Sequence, residues 1–304
     1  MNRYTSQPST IERAGHVALQ SPDPAAAAAF AADHLGLYLV HVDDAGRHYL
    51  AANGLDPYSL VYTPAQEKGV EHLAYLVRDL GVLNETQRRL EDSGVPVERL
   101  DPNEFWRSGP ALRVTAPAGH QVVLTTGVQV GSTMASQTVP NVAAPAPITL
   151  DHAAPRVLDP IAEMEFAESV LGLKESARVV DPEGNIVLGF YRSHTLFHCY
   201  TILGGDHNGL HHFQFTLKNA EAVHKAAEAL EADGEVEMVW GPVRHSPGNN
   251  VALYFWDNDR NMIEYSAEEE IILDAASYVA MEWSTLDQRV LDEWGDTPPD
   301  VFLA

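Results

Sequence analysis

The chain has 304 residues, 45% of them hydrophobic and 20% charged, which is enough for two globular domains. Its formal net charge of −24 argues against partners such as nucleic acid or an anionic membrane surface, whose negative charge favours basic proteins. The single cysteine, Cys199, excludes an intrachain disulfide, and no apolar run approaches the roughly 20 residues that span a bilayer. Residues 1–6 lack the apolar region of a secretory signal, so a cytoplasmic protein is predicted.

Four helices are predicted from alanine-rich or amphipathic segments that follow a capping residue and precede a glycine. They are Pro24–His34, Leu83–Ser93, Pro160–Val170 and Ala220–Asp233. Short runs rich in β-branched and aromatic residues predict strands between and after them. These runs are Tyr58–Tyr62, Gln121–Thr126, Ile186–Phe190, His198–Leu203 and Val251–Trp256.

An internal repeat organises these elements. His16, Phe30 and Gly36 recur as His152, Phe166 and Gly172 with one constant offset, which is hard to obtain by chance over the length of a helix. The match resumes where Gly69–Tyr75 resembles Gly209–Phe215. Each copy itself contains two strands that carry a histidine, each followed by a helix and further strands. The repeat therefore predicts an α+β fold of four βαβββ modules paired into two domains.

The domain limits follow from this repeat. Residues 1–135 are predicted to form an N-terminal domain of two modules, and residues 146–268 a C-terminal catalytic domain of two modules. Residues 128–146 lack periodicity and are predicted to connect the domains. Residues 269–304 form a tail, in which a short helix is predicted at Glu269–Tyr278.

Two histidines and one carboxylate of the second copy are the candidate metal ligands. His152 and His212 lie on the first strands of their modules, and Glu264 lies on a last strand. First strands of paired modules are expected to face each other across one cavity. Two imidazoles and one carboxylate, with coordination positions left open, form the facial triad typical of non-haem Fe(II) oxygenases. The pattern predicts one mononuclear metal, Fe(II), and it does not separate Fe(II) from Mn(II).

Strand alternation distinguishes the two adjacent histidines. In the strand that follows Gly209, His212 and Gln214 share a polar face, whereas His211 shares a face with Phe213 and Phe215. The apolar face is expected to pack on helices and the polar face to line the cavity. His212 is therefore predicted as the ligand and His211 as a structural residue or a neighbour of the ligands.

The first copy lacks the carboxylate. It keeps His16 and His72, but the position that matches Glu264 is Val123. A site without a carboxylate is expected to bind Fe(II) poorly, because such cations favour an oxygen ligand and its charge. The N-terminal metal site is therefore predicted to be vestigial.

Three motifs carry a family resemblance: Leu150-Asp151-His152, Leu210-His211-His212-Phe213 and Ile263-Glu264-Tyr265. With the later patterns Gly241-Pro242-Val243-Arg244-His245 and Tyr254-Phe255-Trp256-Asp257, they resemble type I extradiol dioxygenases, the catechol 2,3-dioxygenase-like enzymes of the vicinal oxygen chelate superfamily. The resemblance covers roughly residues 11–268. The loop from Asp257 to Asn261 departs from the family's usual Asp-Pro-x-Gly-Asn.

The resemblance implies a reaction and three further site residues. The reaction is cleavage of a catechol-type ring beside its two hydroxyls by O₂, in the degradation of aromatic compounds. His198 resembles the acid–base histidine near the O₂ site, His245 the histidine that contacts a substrate oxygen, and Tyr254 the tyrosine that bonds the catecholate. The family is commonly homo-oligomeric. The implied partners are a small catechol and O₂, without nucleic acid or membrane.

Two other functions use the same scaffold. A glyoxalase-like isomerase would take metal ligands from two modules and would need neither His245 nor Tyr254. A non-catalytic binding protein of the bleomycin-resistance type would be half as long and would lack the triad. The substituent of the substrate is not predicted. Candidates for lining its pocket are Phe190, Tyr200, Trp240, Val243 and the tail near Trp283.

Overall fold

The computed structural model describes residues 9–127 and 144–303. The expectation for residues 1–6 and most of the predicted connection therefore lie outside the described residues. The elements are, in chain order, β1 Arg13–Ser21, α1 Pro24–His34, β2 Tyr38–Val42, β3 His48–Ala51, β4 Leu60–Pro64, β5 Gly69–Leu76, α2 Leu80–Asp92, β6 Glu98–Leu100, β7 Ala111–Thr115, β8 Gln121–Thr125, β9 Thr149–Val157, α3 Pro160–Ser169, β10 Lys174–Val180, β11 Ile186–Arg192, β12 Tyr200–Gly204, β13 Gly209–Thr216, α4 Ala220–Asp233, β14 Met238–Arg244, β15 Val251–Trp256, β16 Met262–Ala267, β17 Met281–Ser284 and α5 Asp300–Leu303.

The order of these elements is βαβββ repeated four times, which confirms the predicted fold class. The first two modules form one sheet with the order β2-β3-β4-β1-β5-β8-β7-β6. The last two form a second sheet with the order β14-β15-β16-β13-β9-β12-β11-β10, and β17 of the tail extends its edge beside β10. In each sheet the two first strands, β1 with β5 and β9 with β13, are antiparallel neighbours at the centre.

Side-chain caps fix where the helices begin. The carboxylates of Asp23 and Asp159 accept a hydrogen bond from the backbone N–H three residues on, and the amide oxygen of Asn219 does the same. Asp79 caps α2 by accepting from Val82 N at 2.9 Å, so α2 begins at Leu80, earlier than predicted. The glycine that follows each of the four module helices has a positive φ, between +68° and +78°, as the predicted C-terminal caps require.

Strand alternation separates a core face from a cavity face in the second sheet. Ala153, Phe213 and Ile263 are buried on the face that carries the helices. They belong to one apolar cluster that continues into the first sheet through residues such as Leu73 and Leu124. The opposite face carries His152, His212, Gln214 and Glu264. The apolar contact between the two halves thus holds the backbone that presents the polar face.

Buried hydrogen bonds also join the two sheets. Tyr62 OH on β4 donates to Asp257 Oδ2 at 2.7 Å, and Tyr265 OH on β16 donates to the carbonyl oxygen of Leu35 at 2.5 Å. Asn53 Nδ2 donates to the carbonyl oxygen of Pro147 at 2.8 Å. Leaving these buried donors and acceptors unpaired would cost free energy, so any shift of one sheet against the other is disfavoured. The bonds therefore fix the relative position of the two sheets.

The predicted tail helix at Glu269–Tyr278 is wrong. In this segment the backbone N–H of Glu270 donates to Gly248 O and that of Ile272 donates to Thr195 O, both in loops of the second sheet. These bonds replace the i to i−4 bonds of a helix. Glu268 also has a φ of +65°, which is incompatible with a helix starting there.

The rest of the tail returns over the open face of the second sheet. It adds β17 parallel to β10, makes a 3-10 turn at Gln288–Val290 and ends in the short α5. Within the described parts of the chain, no helix has the length and apolar composition needed to cross a membrane.

We expect Tyr62→Phe to lower the free energy of unfolding by about 1–3 kcal/mol, because Asp257 is 3% exposed and would lose a buried donor. Tyr38→Phe is the matched control, since Tyr38 is 42% exposed and its hydroxyl also donates to one side chain, Asn53. It should change stability by less than about 0.5 kcal/mol. Guanidinium denaturation followed by tryptophan fluorescence measures both, and equal losses would contradict a structural role for the bond between the sheets.

Candidate metal centre

Strand register brings the three predicted ligands together. Gln214 on β13 lies opposite His152 on β9 and also opposite Glu264 on β16, so these side chains form one row across three strands. His212 lies two residues before Gln214 and therefore on the same face. Within the described residues, His152, His212 and Glu264 are the one group of side chains whose ligand atoms converge closely enough to hold a metal ion.

The donor atoms lie at the separations expected around one ion. His212 Nε2 lies 3.1 Å from both His152 Nε2 and Glu264 Oε2, and His152 Nε2 lies 3.5 Å from Glu264 Oε2. Ligand distances of roughly 2.0–2.2 Å place neighbouring donors roughly 2.8–3.5 Å apart. Two imidazole nitrogens and one carboxylate oxygen at these separations fit a divalent cation that prefers nitrogen and oxygen ligands.

The charge at this point supports the same interpretation. Burial alone would raise the pKa of Glu264, but hydrogen bonds with His152 and His212 lower it well below its usual range. Burial lowers the pKa of His152, but Asp151 and Glu264 raise it to about 9. A fully buried, ionised carboxylate requires a positive charge beside it. Without a metal, a proton on His152 supplies that charge, and a bound divalent cation could replace this proton.

Two residues without a predicted role support the ligands. Asn250 Nδ2 donates to Glu264 Oε1 at 3.3 Å and thereby occupies the carboxylate oxygen that does not face the histidines. Asp151 Oδ2 lies 3.6 Å from His152 Nδ1, on the far side of the imidazole ring. Carboxylates beside metal-binding histidines orient the ring and raise its basicity. Asp151 is adjacent to a predicted ligand in the sequence, whereas nothing in the sequence pattern singles out Asn250.

His198 lies beside the three converging side chains, just before β12. Its ring centroid is 4.3 Å from that of His152, and it is 5% exposed. Burial lowers its pKa well below the usual range, so the ring is neutral. Glu269 Oε1 lies 2.8 Å from His198 Nδ1 and accepts a hydrogen bond from His198 N. The tail residue Glu269, predicted to lie in a helix, instead positions this histidine.

His245 and Tyr254 form a hydrogen-bonded pair on the opposite side of the site. His245 Nε2 lies 2.9 Å from Tyr254 OH, while His245 Nδ1 lies 2.5 Å from the carbonyl oxygen of Leu291 in the tail. A carbonyl can only accept, so Nδ1 carries the proton and Nε2 accepts from the tyrosine hydroxyl. Tyr254 lies opposite Glu264 on the neighbouring strand, and burial raises the tyrosine pKa well above its usual range.

His211 does not pack against helices as predicted. The register of β13 against β9 shifts between Leu210 and His212, so a β-bulge turns both histidines toward the cavity. His211 Nδ1 lies 2.6 Å from His212 Nδ1, and His211 Nε2 lies 2.6 Å from the carbonyl oxygen of Phe302. His211 is therefore a neighbour of the predicted ligand that also contacts the tail, and alternation of an unbroken strand could not predict this.

All six predicted site residues line one cavity of about 270 Å³: His152, His198, His212, His245, Tyr254 and Glu264. Of the predicted pocket-lining candidates, Phe190 lines it, and so does the tail near Trp283, through Thr285. Tyr200 instead donates to Glu163 near His120, away from the cavity. Trp240 and Val243 pack behind Tyr254, and Trp283 packs at the edge with Phe197 and Ile272.

The first sheet presents a paired-histidine cluster in place of a triad. His16 Nε2 lies 2.8 Å from His72 Nε2, and the register places Val123 opposite Ala74 as Glu264 lies opposite Gln214. Phe105 packs against both rings, and burial lowers the pKa of His16 to about 3. The two imidazoles share one hydrogen bond as neutral groups, with one Nε2–H donating to the other, while His72 Nδ1 is buried without a hydrogen-bond partner.

Two parts of the chain match known families. Residues 149–265 match the Glyoxalase/Bleomycin resistance protein/Dioxygenase superfamily, and residues 70–127 match the Catechol 2,3-dioxygenase-like N-terminal domain.

Curated relatives and solved structures span nearly the whole chain. Metapyrocatechase of Pseudomonas sp. (strain CF600) is 27% identical over 84% of this chain and 85% of the relative. Manganese-dependent 2,3-dihydroxybiphenyl 1,2-dioxygenase of Geobacillus genomosp. 3 is 26% identical over 81% and 82%. Homoprotocatechuate 2,3-dioxygenase of Brevibacterium fuscum, in its complex with 3,4-dihydroxyphenylacetate, has the same fold, with a TM-score of 0.86 and 21% identity over 100% of this chain and 95% of that one.

We expect His212→Ala to weaken binding of a divalent metal by at least about 100-fold, since removing a ligand should cost more than removing a group that only orients one. His72→Ala removes the equivalent histidine of the first copy and should leave metal affinity unchanged. Anaerobic calorimetric titration with Mn(II) measures both, with circular dichroism to show that the variants fold. Unchanged affinity in His212→Ala, or equal losses in the two variants, would contradict the assignment.

Proposed function

Since residues 149–265 match the Glyoxalase/Bleomycin resistance protein/Dioxygenase superfamily and the chain resembles curated ring-cleaving dioxygenases, we propose that it cleaves the ring of a catechol with O₂ at one Fe(II) ion held by His152, His212 and Glu264. The main support is the convergence of these donors in a cavity that also presents His198, His245 and Tyr254. The bond beside the two hydroxyls breaks, and both oxygen atoms enter a muconic semialdehyde or an analogous ketone. A homo-oligomer in the cytoplasm belongs to the same proposal.

An ion held by His152, His212 and Glu264 would lower the pKa of the catechol hydroxyls through its charge and would bring substrate and O₂ together. The protein leaves room for substrate and O₂, because its three donors all come from one face of the sheet. The cavity continues away from these donors along β11 and β12. A substrate that chelates through neighbouring oxygens fits such an opening.

Tyr254 and His245 orient the bound diol. Tyr254 OH lies next to Glu264 and donates to His245 Nε2, so its oxygen can accept a hydrogen bond from a substrate hydroxyl. His245 is held in one tautomer by the carbonyl oxygen of Leu291. The pair therefore offers a fixed acceptor for the hydroxyl proton at the side of the ring that faces β15.

His198 is the acid–base group. Its neutral imidazole lies against His152 on the side opposite Tyr254, where it can donate or accept one proton at the oxygen atoms that react. Glu269 fixes its backbone and lies next to Nδ1, so Nε2 is the atom that is free to face the substrate. Because burial lowers its pKa, the resting ring is neutral, and once protonated it would readily donate that proton to a substrate oxygen.

Mn(II) is the second candidate for the ion, because one relative is named as a manganese-dependent dioxygenase and a His₂–Glu set suits both metals. Metal-depleted protein loaded anaerobically with either ion distinguishes them. We expect ring opening with Fe(II) to exceed that with Mn(II) by at least about tenfold at equal occupancy, a difference of roughly 1.4 kcal/mol in the barrier. Higher activity with Mn(II) would reverse the assignment of the metal and leave the reaction unchanged.

The reaction itself is tested by adding air to the Fe(II)-loaded protein with a panel of catechols. O₂ uptake equal to substrate consumed, with a yellow product, supports ring cleavage, and Glu264→Ala should abolish both signals. Turnover of an α-keto aldehyde–thiol adduct without O₂ would instead favour a glyoxalase-like isomerase.

We expect His198→Phe to keep its metal but to slow ring opening by about 10²- to 10⁴-fold, because a proton-transfer group is lost while the ligands stay intact. His224→Phe is the control, since this exposed histidine on α4 packs on Trp294 outside the cavity. Metal content and single-turnover absorbance are measured for both. Unchanged turnover in His198→Phe would remove its catalytic role.

A further inference from the structure

The cavity extends beyond the metal ligands along the second sheet. His152 and Arg156 lie on the same face of β9, four residues or roughly 13 Å apart at about 3.3 Å per residue. From the metal ligands the cavity extends along β11 and β12, away from Glu264 and past the stretch of β9 between His152 and Arg156. A catechol ring held at the metal would therefore point one edge, and any substituent on it, into this extension.

One wall of the extension is a row of aliphatic side chains across three strands. Leu188 on β11 lies opposite both Val179 on β10 and Leu203 on β12, and all three line the cavity. Register places them side by side, so they form a continuous apolar surface.

Three residues of the tail also line the cavity: Leu291, Phe302 and Leu303. The carbonyl oxygens of these three residues lie within hydrogen-bond distance of His245, His211 and Arg156, respectively. The tail backbone is therefore fixed against the sheet, and Phe302 packs on Trp240 and Tyr254.

Cationic groups that could bind a carboxylate are scarce here. Arg156 is the one lysine or arginine in the described lining of the cavity. Its guanidinium donates to Leu303 O at 3.0 Å, which ties it to the tail backbone. The net charge of −24 also disfavours anionic substrates through the field of the whole protein.

We propose that this cavity selects catechols that carry an uncharged, apolar substituent. The substituent would sit against Val179, Leu188 and Leu203, in the cavity that the tail residues Leu291, Phe302 and Leu303 also line. This inference rests on the proposed ring cleavage and names its substrate class. Each methylene moved from water into such a seat improves binding about fourfold, whereas a carboxylate against the aliphatic row of Val179, Leu188 and Leu203 loses its hydration.

A pair of substrates of similar size tests the proposal with the Fe(II)-loaded protein. We expect kcat/KM for 4-propylcatechol to exceed that for catechol by roughly 60-fold. It should exceed that for 3,4-dihydroxyphenylacetate by at least about 100-fold. Anaerobic calorimetric titration should give the same order of binding. Equal values, or a preference for the carboxylate, would overturn the proposed selectivity while ring cleavage stood. O₂ uptake with none of the catechols would overturn the proposed function and the selectivity with it.

Leu188→Lys places a cation in the seat and should reverse the preference toward 3,4-dihydroxyphenylacetate by at least about tenfold, because the buried carboxylate gains a charged partner. Leu158→Lys adds the same charge at a position that is 61% exposed and outside the cavity, and it should keep the wild-type order. An unchanged order in folded, metal-loaded Leu188→Lys, or the same reversal in both variants, would contradict the seat.

Discussion

The structure of the second half depends on one constraint: a carboxylate, Glu264, is buried and ionised between two imidazoles. Such a group is tolerated only with a positive charge and hydrogen bonds close by. The pairing of β13 with β9 and β16 at the centre of the sheet brings the two imidazoles to this carboxylate. His212 lies on β13, and register places His152 and Glu264 on either side of Gln214. Shifting any of these strands by one residue would turn its ligand into the apolar core. The fold and the site therefore specify each other.

The two copies of the repeat show what that carboxylate contributes. In the first sheet the register is the same, but Val123 occupies the last-strand position, and His16 and His72 bond to each other among aromatic rings. Without an ionised group, neutral imidazoles are sufficient, and the low pKa of His16 agrees with this. The first copy keeps the histidines as a packed, hydrogen-bonded pair. It contributes to the molecule through the apolar cluster and the hydrogen bonds that join the sheets.

The repeat explains how much of this could be predicted from the sequence. Matching His16 with His152 and Phe30 with Phe166 compares the chain with itself, so the module order, the helices and the converging triad followed from pattern alone. Effects that arise from tertiary contacts could not be predicted in this way. The bulge at His211 depends on its pairing with β9, and the segment after Glu268 bonds to distant loops although its composition favours a helix. Asn250 and Glu269 also act only through contacts that folding creates.

The tail is the part of the cavity that the repeat does not determine. The βαβββ modules build a sheet whose polar face carries the ligands at its centre. This face alone would leave the side of a bound catechol ring that points away from the sheet exposed to water. The tail covers it with Leu291, Phe302 and Leu303, and its carbonyl oxygens engage His245, His211 and Arg156, residues beside or within the site. A change in these tail side chains can therefore alter the seat of the substituent without moving a metal ligand. The tail thus shares in substrate choice with β10, β11 and β12, and its side chains can vary while the triad stays fixed.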